Sequence, residues 1–122
     1  MKHIERDPEA LLPLTPAVFH ILLALVDGER HGYGIMQEIM GRTEGKVRMG
    51  PGTLYGSIKR MQAEGLIKES GMRPDPSLDD ERRRYYRLTD FGLRVTQAEA
   101  QRLAQLVSVA RSKRLLLEPG AL

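Results

Sequence analysis

The stretch from Gly50 to Lys68 constrains the chain most, because it sets a helix, the two faces of that helix and the element that follows. Pro51 suits the first helical position, where a missing N–H costs no hydrogen bond. Leu54, Ile58 and Met61 recur at helical spacing and make one apolar face. Gly65 falls where a left-handed residue would stop the helix, and Leu66-Ile67 begin an extended run. At about 100° per residue, Gly52, Gly56, Lys59 and Ala63 point away from the apolar stripe. Thr53 and Arg60 flank that outer face on one side and Tyr55 on the other. An ordinary solvated face could look like this. So could a helix that enters the major groove of DNA, which needs low bulk for close approach and donors for base edges and phosphate.

Charge distribution favours the second reading. The 122 residues, enough for one domain, carry a net charge of only +3. Residues 1–45 sum to −3, residues 46–68 to +4 and residues 69–122 to +2. The positive potential therefore concentrates on the central helix and its flanks, as on a surface that meets a polyanion. Cysteine is absent, which excludes disulfides, thiolate catalysis and Cys-ligated metal. His3, His20 and His31 lack metal-ligand spacing, and there is no phosphate-binding glycine loop or catalytic trio. No enzyme activity, metal or cofactor is expected. Met1–Leu12 lacks the pattern of a signal peptide, and the longest apolar run, Ile21–Val26, is far too short to span a bilayer. A cytoplasmic protein is expected.

Read in order, residues 1–13 form a charged, flexible segment. Thr15 and Pro16 read as N-cap and first residue of a helix that runs to Asp27-Gly28. That helix is apolar almost all round and must be covered on more than one side. In so small a chain a second subunit is one source of cover, through Phe19, Leu22 and Leu23, and His20 reads as a structural or interface residue. A second helix, about Tyr33–Met40, follows the turn His31-Gly32-Tyr33-Gly34, with Gly41 as its C-cap. Met36, Met40 and Met61 read as core filler. A short strand is expected at Val47. Leu66–Ser70 and Arg83–Thr89 read as strands joined by a long loop holding Pro74, Pro76 and the acids Asp79, Asp80 and Glu81. Thr89 or Asp90 caps a last helix that reaches about Leu117. Its stripe, with Leu103, Leu106, Val107 and Ala110, either packs on its own domain or pairs with a second copy.

Three helices, a two-stranded ribbon and a further helix make a mainly α fold with a small β-ribbon, the winged helix-turn-helix order. Residues 14–89 would form that domain, residues 90–117 a C-terminal dimerisation helix and residues 118–122 a tail. The chain resembles the PadR family of transcriptional regulators over about residues 14–95. The resemblance rests on five pieces at fitting spacings: Leu14-Thr15-Pro16, His31-Gly32-Tyr33-Gly34, Gly50-Pro51-Gly52-Thr53-Leu54-Tyr55, Glu64-Gly65-Leu66-Ile67 and Arg84-Tyr85-Tyr86-Arg87-Leu88-Thr89-Asp90-Phe91-Gly92. It implies a homodimeric repressor on an inverted-repeat DNA operator, released by a small-molecule inducer or by stress. The third helix would sit in the major groove and the wing would touch the backbone or minor groove. About thirty residues follow Asp90, which matches the family's short form with a single C-terminal helix.

The residues expected to meet DNA follow from both readings. Lys59 would reach phosphate or a guanine edge and Arg60 phosphate. Thr53, Ser57 and Tyr55 have hydroxyls for phosphate or bases, although the Tyr55 ring could instead cover the helix's apolar flank. Gly52 and Gly56 would let the backbone approach, while Gly50 serves either approach or turn geometry. Lys46 and Arg48 would add attraction before the helix, and the resemblance makes Tyr33 a phosphate contact. Of Arg82, Arg83 and Arg84, alternation lets one or two face DNA. Arg83 and Arg84 are the candidates, with the Asp79–Glu81 acids as partners for the rest. The alternative function is a winged-helix protein-interaction module without DNA binding. The acidic loop favours it and the basic central segment disfavours it.

Overall fold

The computed structural model describes residues 6–72 and 84–117. Its helices are α1 (Pro16–Leu25), α2 (Gly32–Arg42), α3 (Pro51–Ala63) and α4 (Asp90–Ser112). Its strands are β1 (Arg30–His31), β2 (Ile67–Met72) and β3 (Arg84–Leu88). They form an antiparallel sheet of order β1-β3-β2, so the fold is a winged helix-turn-helix with a longer C-terminal helix. Among the described residues, no helix is long and apolar enough to cross a membrane.

Local chemistry explains each helix end. The Thr15 hydroxyl oxygen accepts from the Val18 N–H at 3.2 Å, and Pro16 follows it. His31 caps α2: its Nδ1 accepts from the Gly34 N–H at 2.8 Å. The α2 helix runs through Gly41, which is not its cap. The stop comes at Glu44 and Gly45, both left-handed (φ 54° and 78°), where the Gly45 N–H reaches the Met40 carbonyl at 2.8 Å. At the end of α3, Gly65 has φ 77°; its N–H bonds to Gln62 O at 3.1 Å and the Leu66 N–H to Met61 O at 2.9 Å. Those paired bonds satisfy the last carbonyls of the helix and turn the chain into β2.

The third strand is not at Val47. That residue's N–H bonds to the Thr43 hydroxyl at 3.1 Å inside the α2–α3 turn, with no strand beside it. The added strand is β1, whose Arg30 and His31 lie opposite Tyr86 and Tyr85. Two residues show no periodicity, so the partner strand alone defines them. On the other side β2 pairs with β3, with a bulge between Glu69 and Gly71.

The core joins Ile21, Leu22 and Leu25 of α1, Ile35 and Ile39 of α2, Leu54, Ile58 and Met61 of α3, and Leu66, Ile67, Tyr86 and Val95. Leu22 is 0% exposed within the single chain, so its side chain is spent on this core and is not surface for a second copy. Phe19 and Leu23 are half-buried on the outer side of α1.

Residues 6–14 make contacts with α4 and with the end of α3. A short 3-10 turn, Pro8–Leu11, packs beside α4. The Arg6 guanidinium donates to the Glu64 carbonyl and lies 4.1 Å from the centre of the Phe91 ring. Leu14 donates its N–H to Oε2 of Glu99 at 2.9 Å. Glu99 is only 1% exposed and is also bonded to Arg102. That Arg102 bond holds its carboxyl below the usual carboxylate range; burial pulls the other way, and the Leu14 N–H adds to the Arg102 effect.

Candidate nucleic-acid interface

Helix α3 is held between the core on one side and solvent on the other. Leu54, Ser57, Ile58 and Met61 are buried; Gly52, Thr53, Gly56, Lys59, Arg60 and Ala63 are exposed. A Cβ added at Gly50, Gly52 or Gly56 would meet no atom within 4 Å. Gly50 has an ordinary φ of −72°, so turn geometry does not require glycine there. It also leaves the first N–H groups of α3 without a side-chain cap. A helix start of that kind attracts an anion.

Glycine inside a helix costs roughly 0.5–1 kcal/mol against alanine. Nothing in the chain's own packing demands that cost at Gly52 or Gly56. The slim strip they form admits an external body closer than side chains would allow. Lys59 stands beside it. Across from Lys59, Arg84 of β3 lines the same cleft, about 280 Å³, with Tyr55, Gln62 and Tyr86 between helix and wing. Arg84 also lies 3.7 Å from Glu69 on β2, a neighbour that offsets part of its charge.

Other expected contacts sort themselves by position. Ser57 is 1% exposed and faces the core, so its hydroxyl is withdrawn from the outer face. Tyr55 packs its ring on α2: a Cβ at Gly32 would overlap the Tyr55 hydroxyl. Tyr55 thus covers the helix flank with its ring while also lining the Lys59 cleft. Arg60 is exposed but sits on the flank toward the N-terminal arm, sharing a groove with Pro13, Thr15 and Glu64. It is turned away from the wing and from the Lys59 cleft. Tyr33 is 41% exposed at the start of α2 and shares a groove of about 230 Å³ with Arg48, Met36, Met40 and Met49. Met36 and Met49 are partly buried against the core, while Met40 is exposed. Lys46 and Arg48 are exposed. Arg82, Arg83 and the acids Asp79, Asp80 and Glu81 lie outside the described residues.

The structure adds two cations that sequence reasoning passed over. Lys68 of β2 lies directly opposite Arg87 of β3, and both are exposed. Like charges opposite each other in a ladder are mildly destabilising, and a polyanion near the wing would relieve that. Their pairing depends on strand register, which a single sequence does not give across so long a loop.

A second set of groups lies away from this face. Nη1 of Arg42 is 3.0 Å from Nδ1 of His20, and Arg42 also bridges to Glu38 at 3.0 Å. Burial first, and then the Arg42 charge, push the His20 imidazole below its ordinary value, with Glu38 pulling partly back. No group of three or more His, Cys, Asp or Glu suited to a metal occurs among the described residues.

Comparison with known proteins places this arrangement among relatives. The model of the transcriptional regulator PadR-like family matches residues 21–98. The chain is 32% identical over 87 residues to transcriptional regulator Rv3488 of Mycobacterium tuberculosis, covering 71% of this chain and 75% of that one. It is 34% identical over 89 residues to an uncharacterized 37.1 kDa protein of a Streptomyces fradiae transposon, covering 70% of this chain but only 22% of that one. Bacillus subtilis PadR, solved in complex with operator DNA, superposes with a TM-score of 0.60 at 24% identity, over 75% of this chain and 48% of that one.

Proposed function

The chain belongs to the PadR-like family of transcriptional regulators, and from that premise we propose that it is a cytoplasmic, sequence-specific DNA-binding repressor. It works as a homodimer on an inverted-repeat operator and is released by a ligand or stress signal. Residues 14–89 bind DNA and α4 joins the two copies. One observation carries the DNA reading: the outer face of α3 holds two glycines that the fold itself does not need, with Lys59 beside them. The B. subtilis relative, solved on operator DNA, supports it. A second observation supports the dimer: the apolar stripe of α4 continues past its last buried residue, Glu99, into exposed Leu106, Val107 and Val109.

In this reading α3 enters the major groove with its slim end foremost. The uncapped N–H groups at Gly50 face a phosphate, and Lys59 reaches a guanine edge or the backbone. Lys46, Arg48, Arg84, Lys68 and Arg87 supply sequence-independent attraction. Tyr55 holds α3 against α2, and Arg60 is at most a peripheral contact. Twofold symmetry of the protein sets the palindromic symmetry of the operator.

Selection from a random pool of duplexes, followed by gel shift of the winner, tests the proposal. A retained palindromic site with affinity falling steeply as salt rises is expected. Lys59→Ala should weaken binding about tenfold and shallow the log–log salt slope by about one, with an unchanged melting temperature. Recovery of no preferred sequence at low salt would remove the proposal.

A further inference from the structure

Helix α4 ends at Ser112, short of the Leu117 that sequence periodicity suggested. It stops because Arg114 turns left-handed (φ 62°), with the Leu115 N–H bonded to the Ala110 carbonyl at 3.0 Å. Past that turn come three leucines in a row. Leu115 is 72% exposed, Leu116 44% and Leu117 74%. Leu117 therefore does not belong to the helical stripe; Leu115 and Leu117 stand largely uncovered, with Leu116 partly covered between them.

A groove of about 470 Å³, mostly apolar, lies between the N-terminal arm and the middle of α4. Glu9 and Leu12 line one wall; Ala98, Gln101, Arg102 and Leu106 line the other. A chain's own leucines cannot fill it. Ala98 and Leu115 are seventeen residues apart along a rigid helix and its end, about 25 Å at 1.5 Å per residue.

A second copy can fill it. In a twofold contact, if residue i of one copy meets residue j of the other, then j also meets i. The exposed stretch of α4 in this region runs from Ala104 to Val109. Antiparallel pairing centred there sets Leu115 of one copy opposite Ala98 of its partner, at the groove. Charge agrees with this register. Lys113 and Arg114 immediately precede the leucines, and Glu9 stands exposed at the groove wall.

We propose that Leu115-Leu116-Leu117 of each copy is a clasp that docks into the groove between the N-terminal arm and α4 of the other copy. This rests on the homodimer reading and deepens it. The clasp ties each copy's helix end to its partner's arm. Through Arg6, which touches Glu64 and Phe91, it ties that end to the far end of the partner's α3.

The cysteine-free chain allows a direct test. Ala98→Cys and Leu116→Cys are made in separate full-length proteins, mixed, equilibrated and treated with a short bis-maleimide linker. A crosslink between the two variants, identified by mass spectrometry, is expected, together with dimers in sedimentation velocity. Replacing Leu115, Leu116 and Leu117 by serine should raise the dimer dissociation constant roughly tenfold or more. Glu9→Lys should weaken the dimer, and adding Arg114→Glu should restore much of the loss. Dimers without the 98–116 crosslink, and with unchanged affinity in the triple-serine variant, would overturn the clasp while leaving the dimer standing. A monomer at all concentrations would overturn both.

Discussion

Gly52 and Gly56 occupy helical positions where alanine would be the more stable choice and would clash with nothing. Gly56→Ala should therefore raise the melting temperature, by roughly 0.5–1 kcal/mol of stability, and lower DNA affinity because a methyl group now holds the groove away. Thermal denaturation and gel shift on the same sample would show the opposed signs. A loss of both stability and binding would mean that the glycine serves the fold. His20 is a residue-scale case of a different kind. Its pKa in the folded chain lies below the unfolded value near 6.5. Between those two values the unfolded chain binds more protons. The stability contributed by neutral His20 is thus complete above about pH 6.5 and is lost as pH falls through the folded value. In His20→Gln the melting temperature should fall less between pH 7.5 and pH 5.5 than in the wild type.

At the scale of elements, the junction between α3, β2 and α4 decides whether the wing is aimed at all. The Thr89 hydroxyl donates to the Gly65 carbonyl and accepts from the Gly92 N–H at 2.9 Å, so one side chain both caps α4 and holds the turn after α3. Gly92 faces the Leu66 carbonyl so closely that an added Cβ would overlap its oxygen. These contacts give a physical reason why Glu64-Gly65-Leu66 and Thr89-Asp90-Phe91-Gly92 occur together in one sequence. Gly92→Ala should destabilise the domain by several kcal/mol or prevent folding, since backbone cannot give way as a flexible side chain can. Thr89→Ala should cost about 1–2 kcal/mol through loss of the cap. Urea denaturation of the two variants would rank them, and the reverse order would remove the close-approach argument.

For the whole molecule, α4 is the element that outruns its domain. Its 23 residues span about 34 Å, yet its buried residues end at Glu99. The same stripe that packs on the core near Val95 emerges uncovered at Leu106 and Val107. Truncation after Gln105 should leave a folded chain, judged by circular dichroism, that sediments as a monomer. It should bind a half-site weakly and lose tight binding to the full operator, because the avidity of two linked half-sites is gone. A truncated chain that still dimerised would move the interface to α1, where Phe19 and Leu23 are half-buried on the outer side.

Much of this was legible in the residues, because it depends on neighbours along the chain. Pro51, Gly65 and the spacing of Leu54, Ile58 and Met61 set α3 and its apolar face through local geometry alone. Thr15 and Thr89 marked helix starts by the same kind of short-range bonding. Charge on residues 46–68 pointed to a polyanion without any coordinates. Tertiary structure decided what depends on distant partners. Ser57 shares α3 with Lys59, but contacts with the core withdrew it from the open face, and the Tyr55 ring took its place against Gly32 of α2. Arg6 and Leu14 found partners in Glu64, Phe91 and Glu99, which lie far away in sequence. The two-residue strand at Arg30-His31 exists only because β3 lies beside it, and Leu22 left the candidate interface because the single chain already buries it. Hydrogen-bond geometry and helical period are local, whereas burial is a property of everything that happens to be packed nearby, and no single stretch of sequence carries it.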